Sequence, residues 1–275
     1  MMKLKMKITR LQAVCLAVTL VFGIVAGYSA IRLYKKIRYM STELEQLEEN
    51  SAYLQEKLRQ TTDYYEYDTH YKDDAYNYLA IGNSLTLIRS WKRGICSTQP
   101  DNDYYALVVS ALEKQHGEVV SYRYNFKLWE QSSNRDNMLD TIDCYLSDKL
   151  DLVSIQLGEN AFNLSTYQED LKSLIAYVRK KAPKATIIVI GDWWSDDRNA
   201  MRKAAASETG CLFADLSEVM RDTAYQSKAG TICYIEDGST IEVSEEAATH
   251  PGDKGMKYIA DAVMKELNRK NKKKK

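Results

Sequence analysis

Hydrophobic and polar positions divide the chain into three regimes. From Leu11 to Ile31 no residue carries a charge, while MKLKMKITR precedes the run and RLYKKIR closes it. At about 1.5 Å per residue, a helix of that length reaches across the hydrocarbon core of a bilayer. An uncleaved anchor is expected over 11–31, because the run is long for a signal sequence and basic residues follow at once. Leu44, Leu47, Leu54 and Leu58 then recur near helical spacing among acids, with no Gly or Pro, which predicts a stalk helix. An acidic, tyrosine-rich stretch follows up to residue 76 and specifies no chemistry.

From Asn77 the pattern changes to short apolar runs alternating with amphipathic segments. YLAI, VVSYRY, DLVSIQL, TIIVI and CLFADL suit buried strands, with helices expected in DYYALVVSALEKQ, RDNMLDTIDCYL, TYQEDLKSLIAYVRKKA, RNAMRKAAASE and SEVMRDTAY. This alternation predicts an α/β domain whose mostly parallel, five-stranded sheet is covered on both faces, a three-layer α/β/α sandwich. Leu171, Leu174, Ile175 and Val178 form one helical stripe, with Ser165 and Gln168 as a capping box. Met256, Ile259, Ala260, Val263, Met264 and Leu267 form another in the last helix. TICYIEDGSTIEV predicts a hairpin turning at Asp237 and Gly238. The expected organisation is a basic cytoplasmic end (1–10), an anchor (11–31), a stalk and linker (32–76), a folded domain (77–268) and a solvated basic tail (269–275).

Composition sharpens this picture through the placement of charge. The formal net charge of zero hides eight Lys/Arg in residues 1–38 and six in 269–275, which leave 24 basic against 38 acidic residues between them. So acidic a body has no electrostatic footprint for nucleic acid. The short basic amino terminus and the acidic body favour an extracytoplasmic domain on a single-pass anchor, with the stalk available to a membrane protein partner. Cys15 lies in the apolar run, and Cys96, Cys144, Cys211 and Cys233 are widely spaced without a CxxC pair, so buried free thiols compete with bridges. With only three histidines and no ligand spacing, neither a metal nor another cofactor is expected.

In open parallel sheets, ligands bind beyond the carboxyl ends of the strands. The first strand runs into IGNSLTL, without a phosphate-binding glycine pattern; a serine at such a turn suits a nucleophile held at a helix amino terminus. QLGEN follows the third strand, and THPGDKGM opens the final helix. Serine, asparagine and histidine are thereby expected at one edge. Taken singly, each is also an ordinary turn or cap residue.

Together these segments resemble the SGNH (GDSL-type) hydrolases, serine esterases and acyltransferases with a flavodoxin-like sheet, over residues 77 to 268. The resemblance implies Ser84 as nucleophile, with Asn83 where aspartate is usual, Asn160 as oxyanion donor and His250 as general base. Glu130 falls where the family places a backbone oxyanion donor, and the Ser84 and Gly158 backbone completes the expected hole. Ala161 and Ala247 stand where the family has aspartates, so a standard triad is absent. A Ser84–His250 dyad with a backbone carbonyl orienting the ring is expected, Glu246 and Asp253 being the nearby carboxylates and Asp253 also suiting a helix cap.

Trp129, Trp193 and Trp194 fall on loops at the same edge, and with Asn83 they are the expected substrate contacts, although sheet-capping explains the tryptophans as well. The favoured activity is removal of O-acyl, such as acetyl, groups from a surface carbohydrate or small ester. O-acyl transfer by the same residues is the first alternative, and a catalytically inert binding domain is the second.

Overall fold

The computed structural model describes residues 18–19, 22–23, 25–41, 69–88, 92–235 and 237–274. The chain divides into two compact units, residues 1–66 and 67–275. In the first, residues 25–41 form helix α1, whose Val25, Tyr28, Ile31, Leu33 and Tyr34 are exposed. Residues 1–10, Cys15, part of the expected anchor and the stalk leucines lie outside the described residues. Among the described residues, no helix is long and apolar enough to cross a membrane.

The second unit is built on the predicted strands. β1 (Tyr76–Gly82), β2 (Val119–Asn125), β3 (Leu152–Gln156), β4 (Thr186–Ile190) and β5 (Leu212–Ala214) form one wholly parallel sheet in the order β2-β1-β3-β4-β5. Side chains alternate between its faces, and both faces are covered. Tyr78, Ala80, Leu152, Ile188 and Ile190 pack with helices α2 (Tyr104–His116) and α6 (Asp253–Lys274). Leu79, Ile81, Val153, Ile155 and Val189 pack with α4 (Tyr167–Lys181) and α5 (Asp196–Glu208). Burial of each such aliphatic side chain contributes about 1.5 to 3 kcal/mol.

Local chemistry moves several elements from their expected form. RDNMLDTIDCYL is a 3-10 run, Arg135–Tyr145, after a short helix α3 (Lys127–Gln131). SEVMRDTAY makes turns rather than a helix, because the Asp215 and Asp222 carboxylates accept from the N–H groups of Ser217 (3.0 Å) and Ala224 (2.8 Å). Those local bonds compete with the helical ladder, and Arg221 adopts φ +62°. Helix α4 starts after Thr166, which makes no side-chain cap bond, so the Ser165–Gln168 capping box does not form. The Gln168 amide donates to Glu208 instead, at 3.0 Å. The basic tail continues α6 as far as Lys274. The hairpin pairs β6 (Ile232–Tyr234) with β7 (Thr240–Glu242), and Gly238 takes φ +84° at its turn.

Chain order reverses between β1 and β3, a switch point where open sheets place ligands. Gly82 is in register with Asn125 on one side and Gln156 on the other. The segments that follow these three strands therefore emerge side by side.

Candidate active site

The first of those segments is a tight turn. A Cβ on Gly82 would lie 1.9 Å from Thr86 Oγ1, so only glycine lets the chain fold back there. The N–H groups of Thr86 and Leu87 both donate to Asn83 O, at 2.9 and 2.8 Å, and half-buried Ser84 stands inside the turn. Among the described residues no helix begins at Ser84, which corrects the expected helix amino terminus; the next helix is α2.

His250 arrives from the other end of the domain, after a 3-10 turn (Ala247–Thr249) and just before α6. Its Nε2 lies 3.4 Å from Ser84 Oγ, and its Nδ1 lies 3.0 Å from the Ala247 carbonyl. A carbonyl only accepts, so in the neutral ring Nδ1 carries the proton and Nε2 offers its lone pair to the Ser84 hydroxyl. Burial lowers the His250 pKa from 6.5, against smaller opposing effects of the Ala247 carbonyl and Glu246. The Trp193 indole N–H donates to Thr249 O at 3.0 Å, and the Trp194 ring stands edge-on to the imidazole, with centroids 5.0 Å apart.

Neither candidate carboxylate holds the imidazole. Asp253 accepts from the Thr98 N–H (2.8 Å), the Thr98 hydroxyl (2.5 Å) and the Asn102 amide (2.9 Å). It ties the start of α6 to the segment before α2. Glu246 is exposed and acts on His250 only through its charge.

The third component is a buried polar cluster beneath the loops after β2 and β3. The Glu130 carboxylate accepts from Asn160 Nδ2 at 2.7 Å, from Asn83 Nδ2 at 2.9 Å and from the Gly158 N–H. Asn83 Nδ2 also donates to Glu159 at 2.6 Å. Glu159 pairs with Arg202 Nη2 at 2.8 Å, and that nitrogen lies 3.1 Å from Asp192 Oδ2. Burial and the neighbouring Glu159 charge push Glu130 from 4.5 up to about 7. The Arg202 and Arg198 guanidiniums hold Asp192 below its ordinary range despite its burial. Gly158 has φ +128°, and a Cβ there would meet Tyr167 Oη at 2.4 Å and Arg202 Nη2 at 3.0 Å, so the loop requires glycine.

Ser84, His250 and Asn160 are all half-buried, whereas four sequence-based roles need correction. Trp129 is fully buried against Phe126 and Tyr167, because α3 turns it into the core instead of toward substrate. Trp193 is equally buried and supports the His250 loop through its indole N–H. Asn83 is fully buried, its amide held by two carboxylates and out of reach of a substrate. The Gly158 N–H is engaged by Glu130, so it is not a free oxyanion donor, and Glu130 enters through its side chain. Trp194 alone of the three tryptophans keeps partial exposure at the edge. Arg202, Glu159 and Asp192 were not legible as a cluster, since they come from three separated segments; the acid inside GEN was the one available signal.

No protein-family model matches the sequence, and no curated protein sequence matches it. Solved structures similar to the chain include phospholipase A1 from Streptomyces albidoflavus NA297, with 16% identity, a TM-score of 0.47 and coverage of 70% of this chain and 99% of that one. A catalytic mutant of an acetylxylan esterase from Geobacillus stearothermophilus has 19% identity and a TM-score of 0.48, covering 72% and 96%. A two-domain esterase active on acetylated mannans has 18% identity and a TM-score of 0.49, covering 71% of this chain and 49% of that one.

Proposed function

We propose that the protein is a serine ester hydrolase that removes O-acyl groups from a carbohydrate, held at the outer face of a cell membrane by residues 11–31. The observation that carries this reading is the placement of His250, with Nε2 3.4 Å from Ser84 Oγ and Nδ1 fixed by the Ala247 carbonyl. Nε2 takes the serine proton as Oγ attacks the ester carbonyl, and the imidazolium then protonates the leaving sugar oxygen. Water, activated by the same nitrogen, attacks the acyl-enzyme, releasing the acid and restoring the serine. Lowering of the His250 pKa by burial keeps the imidazole neutral, and so basic, at neutral pH.

Negative charge on the tetrahedral oxygen needs fixed donors. The Ser84 N–H, which makes no hydrogen bond among the described residues, and the Asn160 amide supply them. One such donor contributes about 3 to 4 kcal/mol in the transition state. Trp194, beside the imidazole, gives a sugar ring an aromatic face.

The test is a fluorophosphonate probe, applied to wild type and to Ser84→Ala, with the adduct located by mass spectrometry. An adduct on Ser84, with loss of aryl-ester cleavage in Ser84→Ala, supports the reading. Labelling and turnover that persist in the variant refute it.

A further inference from the structure

Three donors from two loops converge on one carboxylate that the mechanism above leaves unused. Glu130 is fully buried, and its oxygens take the side-chain amides of Asn83 and Asn160 and the Gly158 N–H. Its main chain is tied to the same region, for Arg135 donates Nε and Nη2 to Glu130 O at 3.3 and 3.1 Å. Arg135 Nη2 also reaches Asn163 O at 2.8 Å, and its Nη1 pairs with Asp170 at 2.5 Å. The loop after β2 is thus clamped to the loop that carries Asn160. A buried carboxylate is a poor way to gain stability, since an apolar group of similar volume serves as well or better.

Resting on the serine-esterase reading, we infer that Glu130 is the positioning residue of the oxyanion site: its carboxylate holds one Nδ2 hydrogen of Asn160 and fixes the amide plane, leaving the second hydrogen for the substrate oxyanion. An asparagine amide has two N–H donors, so one can be anchored while the other works. Asn83 and Gly158 both donate to Oε1, which leaves Oε2 to Asn160. A proton on Glu130 therefore goes to Oε2, replaces an acceptor with a donor and releases the Asn160 amide.

The charged and titratable groups around Glu130 are Glu159 from the loop after β3, Arg202 behind it on α5, Arg135 from the 3-10 run and Tyr167 on α4. Burial and Glu159 raise Glu130 toward neutrality, while its three donors oppose the rise. Loss of its charge therefore comes as pH falls, as does protonation of His250, whose pKa burial lowers. Each event removes activity, so two protons together silence the site.

The experiment is kinetics on an aryl acetate with the full-length chain: wild type, Glu130→Gln, Asn160→Ala, the double variant and Ser84→Ala. Asn160→Ala is expected to lose about 10² to 10³ in kcat. Glu130→Gln should lose about 10 to 10² with KM within about threefold, but no more than about threefold when added to Asn160→Ala. In wild type, log kcat/KM against pH should fall with a slope of about two on the acid side; in Glu130→Gln and in Asn160→Ala the slope should be about one.

Additive losses in the double variant, or an unchanged kcat in Glu130→Gln, overturn the inference. If Glu130→Gln does not fold, the Asn160→Ala profile decides alone, and a steep limb surviving there overturns it. Turnover that persists in Ser84→Ala overturns the esterase reading itself. Loss in Ser84→Ala beside either preceding failure overturns only the role of Glu130.

Discussion

The raised pKa of Glu130 ties folding stability to pH in a way one substitution can isolate. Burial and Glu159 raise the group from 4.5 in the unfolded chain to about 7 in the fold. Below pH 4.5 both states hold the proton, and the native state has its full relative stability. As pH rises from 4.5 to about 7 the unfolded chain releases the proton while the fold retains it, so stability falls; above about 7 the loss is complete. At about 1.4 kcal/mol per pH unit, the loss amounts to about 3 kcal/mol. Glu130→Gln keeps the side-chain volume and one acceptor but cannot titrate. The assay is urea unfolding of the full-length chain in non-ionic detergent between pH 4 and pH 8, followed by tryptophan fluorescence, since Trp129 and Trp193 are buried in the fold. Contributions of other groups largely cancel in the difference between wild type and variant. That difference should shrink by about 3 kcal/mol, to the disadvantage of wild type, as pH rises. A difference that stays constant across the range would refute the reasoning.

His250→Ala should cost several thousandfold in turnover, while Glu246→Gln and Asp253→Asn should each cost under about tenfold; a carboxylate loss matching that of His250 would make that residue the missing acid. Trp129→Ala should destabilise by about 3 to 5 kcal/mol in denaturant titration. Trp194→Ala should instead raise KM for an acylated oligosaccharide more than for an aryl acetate, and equal effects would remove Trp194 from substrate binding. Gly158→Ala should cost at least about 1 to 3 kcal/mol from backbone strain alone, read as a lower urea midpoint. Protease added to intact cells should degrade the 67–275 unit, whereas protection until lysis would reverse the proposed topology.

The sheet was legible because each strand is an apolar run too short for a helix and bounded by turn residues, as TIIVI and DLVSIQL show. Ser84, Asn160 and His250 could be singled out for the same reason, since strand ends and the approach to the last helix fix where chemistry gathers. SEVMRDTAY failed because its pattern is helical while Asp215 and Asp222 bond the local backbone. Trp129 and Trp193 failed because a loop position says nothing of side-chain direction, and α3 turns Trp129 inward. For Glu130 the sequence points only to a backbone donor, whereas the structure engages its carboxylate. Its side-chain role depends on partners 28 to 47 residues away, Gly158, Asn160 and Asn83, a separation no local pattern records. The available hint was a neutral Asn83 beside Ser84 together with an acid at Glu130.

The Ser84–His250 contact spans 166 residues of sequence. It closes only when α6 docks on the face it shares with α2, because the turn carrying His250 leads directly into that helix. A chain emerging from the ribosome can therefore assemble β1 to β4 and present Ser84 long before it owns a base to activate it. On the proposed esterase reading, nascent and half-folded molecules stay chemically silent toward esters they meet on the way. On the proposed reading, esterase activity is by the same logic a stricter assay of complete folding than a spectroscopic signal from the sheet, since it reports a contact that spans 166 residues.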